Sequence, residues 1–221
     1  MFFPPFIFLF IFLFFFFWLF IFAFIHLGLI GYAFAKIGIP AEYMMWLLLM
    51  CLFGSFINIP IKKIPAPQLE IRELITYWGI KVRIPVYMPG YTIIAINVGG
   101  AIIPVFISLY LIAKFGGILK IIMAIFVVAL VTYHFAKPVS GLGITVPLFI
   151  PPIIAALAAL ILDIRHAPAL AYIAGTMGTL IGADLMNLNK IKALKAPVVS
   201  IGGAGTFDGI FFTGILAVLL A

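Results

Sequence analysis

The chain has 221 residues, 67% hydrophobic and 9% charged, with a net charge of +7 and a mean hydropathy of +1.37. No water-soluble surface can be built at that composition, so the chain reads as an integral membrane protein. The basic excess calls for no nucleic acid, because juxtamembrane lysines beside anionic lipid headgroups account for it.

Apolar runs approach about 20 residues between breaks, the length of a membrane-crossing helix, whereas barrel strands would alternate over about 10. The expected fold is an all-α integral membrane protein forming one domain over residues 1–221. Its breaks place about seven helices, near 5–35, 42–60, 91–113, 118–136, 150–163, 167–188 and 199–221. The first carries no charge before Lys36 and has thirteen phenylalanines in its first 24 residues. It lacks the basic start and small-residue cleavage site of a signal peptide, so it is expected to be an uncleaved helix facing lipid.

Residues 61–91 form the one sizeable extramembrane stretch. Ile80-Lys81-Val82-Arg83-Ile84 alternates at the period of a strand, and Leu74 to Tyr77 can pair with it across Trp78-Gly79. The expectation is a small cytoplasmic hairpin-like loop, either resting on the membrane surface or offering an edge to an extended substrate. Lys62, Lys63, Arg72, Lys81, Arg83, Lys137, Lys190, Lys192 and Lys195 fall in one set of alternate connections, and Lys36, Lys114, Lys120 and Arg165 in the other. The positive-inside rule then predicts a multi-pass protein of the plasma membrane with its N-terminus cytoplasmic and its C-terminus outside.

Chemistry concentrates in residues 137–221. Lys137 to Pro152 holds too many prolines and glycines for one regular helix, and irregular backbone at membrane depth must be buried in protein or line a wet cavity. Gly141-x-Gly143 can be laid without a gap over Gly203-x-Gly205, 62 residues later. Two broken segments in corresponding halves would put a site at their junction. Ala171, Gly175, Gly178 and Gly182 form a small-residue stripe for close helix packing, while Asp184 falls on the other side with Met177, Leu180 and Asn187.

A carboxylate within hydrocarbon is a functional hypothesis, and the chain has two candidates, Asp184 and Asp208. In a plain helical hairpin they would miss each other in depth. They become level if residues 200–205 are extended or tightly turned and the last helix starts near Thr206, a suitable N-cap. No serine–histidine pair, phosphate loop or haem ligand pair stands out. The three histidines lack metal-ligand spacing and Cys51 lies in an apolar segment, so no disulfide, metal or cofactor is expected.

Gly203-Ala204-Gly205-Thr206-Phe207-Asp208, followed by Gly209-Ile210-Phe211-Phe212, resembles the Gly-x-Gly-Asp motif of intramembrane aspartyl proteases of the presenilin, signal peptide peptidase and prepilin peptidase type, with two residues inserted. Asp184 in Gly182-Ala183-Asp184 would be the partner aspartate. The tyrosine that often precedes that aspartate is absent, and Pro168-Ala169-Leu170 stands before both aspartates instead of after them. The Gly-Ala-Asp and Gly-Gly-Ala-Gly-Thr-Phe-Asp-Gly elements also resemble a prokaryotic multi-pass membrane family of unassigned function.

The protease resemblance implies hydrolysis of membrane-spanning peptide substrates by an Asp184/Asp208 dyad, with Gly182, Asn187, Gly203, Gly205, Thr206, Gly141 and Gly143 lining the site. Two other readings stand beside it. In one, a proton- or sodium-coupled transporter or channel uses the same aspartates, with Asn187, Asn189, Thr206 and Thr213 adding neutral oxygens. In the other, a structural or assembly role has the aspartates bonding backbone, Lys137 or His134. Lipid is the expected partner in every case. Asp163, Arg165 and His166 read as a surface ion-pair cluster at a helix end.

Overall fold

The length of the apolar runs and the residues that interrupt them set the helices. The computed structural model describes residues 5–75, 81–139, 143–194, 196–203 and 209–221, with side chains described throughout except at 5–11, 22–25, 67–75, 81–89 and 192–193. Among these residues, Phe12–Lys36, Val98–Phe115, Ile118–Phe135 and Ile164–Ile191 are helical, long and apolar enough to cross a membrane. Ala41–Gly54, Ile150–Leu162 and Gly209–Leu220 are shorter apolar helices.

The helices are α1 (Pro5–Lys36), α2 (Ala41–Gly54), α3 (Ile103–Phe115), α4 (Ile118–Phe135), α5 (Ile150–Leu162), α6 (Ala167–Thr179) and α7 (Gly209–Leu220). Punctuation follows backbone chemistry. Gly38, at φ +73°, and Pro40 part α1 from α2, and Gly116 and Gly117, at φ +65° and +70°, reverse the chain between α3 and α4. Prolines open α3, α5 and α6, where a missing N–H costs no helical bond.

The fold is mostly helical, but not all-α. The strands are β1 (Asn58–Ile75), β2 (Lys81–Asn97), β3 (Lys137–Val139), β4 (Gly143–Thr145) and β5 (Val198–Ile201). β1 and β2 form an antiparallel hairpin from Asn58↔Asn97 to Ile75↔Lys81, with an irregularity between Pro60 and Lys62. β5 adds to β2 in parallel, Ile93↔Val198 to Ile96↔Ile201, and β3 pairs with β4. At about 3.3 Å per residue the 18-residue β1 reaches roughly 60 Å, far more than the short hairpin expected over 74–84. The Trp78-Gly79 turn lies outside the described residues.

Three expected helices are thereby corrected. The helix placed at 42–60 stops at Gly54, residues 91–97 belong to β2, and 198–201 form β5 ahead of α7. Short apolar, β-branched runs such as Thr92-Ile93-Ile94-Ala95-Ile96 and Val198-Val199-Ser200-Ile201 suit either structure in isolation, and pairing between them decides for strand.

α6 is the axis of the bundle, packed against α3, α4, α5 and α7, and residues 169–176 are all buried. Its small residues allow this on several sides at once. A Cβ on Gly175 would lie 3.3–3.4 Å from Ala217, Ala155 and Thr213 side chains, one on Gly178 would stand 2.6 Å from the Val128 Cβ, and one on Gly182 would overlap the Ala129 carbonyl. The outer half of α1 instead leaves Phe12 to Phe20 exposed, as a lipid-facing helix does.

The described residues of the two lysine sets separate to opposite ends of the bundle. Ile64 at the hairpin base packs beside Ile191 and Leu194, so the segments bearing Lys62, Lys63 and Lys190 share one end. At the other end Lys36 donates to the Val218 carbonyl, Lys114 to the Gly38 carbonyl and Lys120 to Asp163.

Candidate functional site

Asp184 lies where the axial helix loses its regular pitch. After α6, Leu180–Asp184 forms a π-helical turn and Leu185–Leu194 a 3-10 segment. The wider i→i+5 turn offsets Asp184 from the position that 100° per residue assigns it, and such turns recur at functional sites. Asn187 holds the change of pitch: its amide donates to the Gly182 and Ala183 carbonyls at 2.9 and 3.0 Å. Its side chain is therefore buried against its own helix.

The carboxylate meets the strand that follows. The Gly202 N–H donates to Asp184 Oδ2 at 2.7 Å, and no ion pair joins Asp184 to Lys137 or His134. Gly202 must be glycine for two reasons. Its φ is +85°, and a Cβ there would lie 2.5 Å from the Ala101 Cβ and 2.7 Å from the Ala101 nitrogen.

A polar node fixes β5 in turn. Ser200 Oγ donates to Asn58 Oδ1 at 2.5 Å, and the Asn97 amide donates to the same oxygen at 3.0 Å and to the Ser55 carbonyl at 2.7 Å. Asn97 Oδ1 accepts from the Gly100 N–H at 2.7 Å, capping the π-turn Val98–Ile102 that leads into α3. Ser55, Asn97 and Ser200 are buried, so their mutual bonds satisfy groups that would otherwise be stranded. Sequence reasoning missed this node; an asparagine ahead of Gly99-Gly100 was the available signal.

Asp184 opens on a cavity of about 160 Å³. Thr179, Ser200 and Thr213 contribute to its lining, as do Gly143 and Pro147 from the broken segment after α4. Gly203 and Gly209, the residues on either side of 204–208, line it as well. The two glycine patterns that overlay in sequence thus meet here through Gly143 and Gly203, at φ +114° and +96°. Of the other expected lining residues, Gly182 packs on α4 and Asn187 closes the π-turn. Asp208, Gly205, Thr206 and Gly141 lie outside the described residues.

The polar lining is carboxylate, hydroxyl and backbone, a set suited to proton transfer and to holding water or a hard cation. The Thr213 hydroxyl donates to the Gly209 carbonyl at 2.6 Å, whereas the buried Thr179 hydroxyl has no hydrogen-bond partner among the described residues. Asp163 belongs to the other end of the bundle. Its hydrogen bond from Lys120 at 2.7 Å holds its carboxyl down at about 2, with His166 adding a weaker contact at 3.4 Å.

Fold and site together define a multi-helix membrane protein with a carboxylate at the broken end of its central helix. The chain belongs to the family described as Protein of unknown function (DUF1614), which matches residues 52–220. That match takes in the hairpin, the axial helix and both candidate aspartates, and leaves out α1. No curated protein and no solved structure matches the chain.

Proposed function

We propose that the protein is an intramembrane aspartyl endopeptidase in which Asp184 and Asp208 form the dyad. One observation carries the reading: Asp184 lines the same cavity as Gly203 and Gly209, the two residues flanking the segment that contains Asp208. Two carboxyls brought together in a poorly solvated site cannot both ionise readily, so the pair would share a proton. The ionised partner would take a proton from water while the protonated one polarised the scissile carbonyl.

β5 supports a peptide as substrate. Among the described residues it pairs only with β2, and Val198, Val199 and Ser200 line the cavity, so an extended segment added along its other edge would pass beside Asp184. Substrates would be unwound membrane-spanning segments of other proteins. Eight of the twelve described Lys and Arg residues fall in the connections at the Asp184 end, which supports a cytoplasmic position for the site in the plasma membrane.

The test is cleavage of a co-reconstituted transmembrane peptide. Asp184→Asn and Asp208→Asn should each lower it by at least roughly 10³-fold while the protein stays folded, because neither half of the dyad can take both proton roles. In the Asp184 variant the amide oxygen can still accept the Gly202 N–H, which preserves the local fold. Cleavage that survives either change would overturn the proposal. So would proton- or sodium-dependent flux that either change abolishes without any peptide product.

A further inference from the structure

On the outer surface of the bundle, α2 and α3 diverge from a tight crossing. At the hairpin end α2 meets the π-turn leading into α3 through glycines: a Cβ on Gly54 would lie 3.0 Å from the Gly99 nitrogen, and one on Gly99 would overlap the Cys51 carbonyl. Toward the other end they open into an apolar groove of about 570 Å³, within the roughly 300–1,000 Å³ typical of small-molecule sites.

Its lining comes from one face of each helix. Tyr43, Trp46 and Met50 on α2 stand opposite Phe106 and Tyr110 on α3, at spacings of three and four, and all five are strongly exposed. From Ile103, at the closed end, to Lys114 is 11 residues, or about 16 Å of helix. That is one leaflet of a hydrocarbon core about 30 Å thick.

The open end carries a charge. Lys114 donates to the Gly38 carbonyl at 3.0 Å, and its ammonium sits 5.7 Å from the centre of the Tyr110 ring, itself part of the groove wall. Among the described residues no carboxylate pairs with it, and Glu42 stands at the same end of α2 without an ion pair. An apolar slot one leaflet deep, with an unneutralised cation and two tyrosines at its mouth, has the profile of a lipid. We propose that the α2–α3 groove holds an acyl chain of an anionic phospholipid, with the lipid phosphate on Lys114.

Native mass spectrometry of the full chain released from nanodiscs of equal phosphatidylglycerol and phosphatidylcholine tests this. Wild type should retain one phosphatidylglycerol, about fivefold enriched over phosphatidylcholine. Lys114→Gln should bring the two lipids to equal retention, Lys114→Arg should keep the preference, and Met50→Trp, which fills the slot, should remove the adduct. The proposal fails if wild type carries no lipid or shows no preference. It fails also if Lys114→Gln keeps wild-type enrichment, or if the groove is covered by a second copy, seen as a lipid-free dimer. Should the glutamine variant not fold, the wild-type ratio and the arginine variant decide.

Discussion

Gly202→Ala gives the sharpest test of how the site is held. The substitution adds one methyl at a backbone whose φ of +85° costs a non-glycine residue about 1–2 kcal/mol. That methyl would also stand 2.5 Å from the Ala101 Cβ and 2.7 Å from its nitrogen, an overpacking worth about 1–3 kcal/mol. The sum is about 2–5 kcal/mol, and for a chain of this size each kcal/mol moves the melting temperature by about 2–4 °C. A fall of roughly 4–20 °C is expected by tryptophan fluorescence of the purified protein in detergent, with loss of peptide cleavage as the N–H leaves Asp184. Gly28→Ala is the control, because nothing lies within 4 Å of a Cβ there and a helical alanine should be neutral or stabilising by up to about 1 kcal/mol. A Gly202→Ala protein melting within 1 °C of the wild type would refute the assigned turn at Gly202.

Asn97→Ala should destabilise by about 3 kcal/mol, since it strands the Gly100 N–H and the Ser55 carbonyl at a buried site; chemical denaturation measures the loss, and an unchanged midpoint would remove Asn97 from the framework. The Asp163 carboxyl, held at about 2 against an ordinary 3.8, contributes stability above about pH 4 that disappears as pH falls toward 2. Melting curves over that window should therefore slope downward in wild type and flatten in Lys120→Met, and equal slopes would show that the pair is without effect. In a Cys51→Ala background, single cysteines at Lys62 and Lys190 should react with an impermeant reagent only from the cytoplasmic side, and one at Lys36 only from outside. Labelling of the first two from opposite sides would sink the topology.

Composition and break spacing were enough to define a membrane-embedded helical chain, because no other solvent accepts so apolar a surface. The same signals mark Asp184 and the glycine- and proline-rich segments around the cavity, since charge and irregular backbone at membrane depth are costly and stand out. What the sequence reading got wrong was residues 91–97 and 198–201, expected as the starts of helices and found as strand. Each is a short β-branched run with no preference strong enough alone, and only their parallel pairing settles it. That pairing carries Gly202 to Asp184, joins β5 through Ser200 to the Asn58–Asn97 node, and brings Gly143 and Gly203, 60 residues apart, to one cavity. The π-turn at Leu180–Asp184 was equally hidden, because it depends on how closely Gly182 approaches Ala129 and on the Asn187 amide turning back on its own helix. Local chemistry thus shows which residues are too costly to be idle, while their meeting place is a property of long-range contacts that no window of sequence contains.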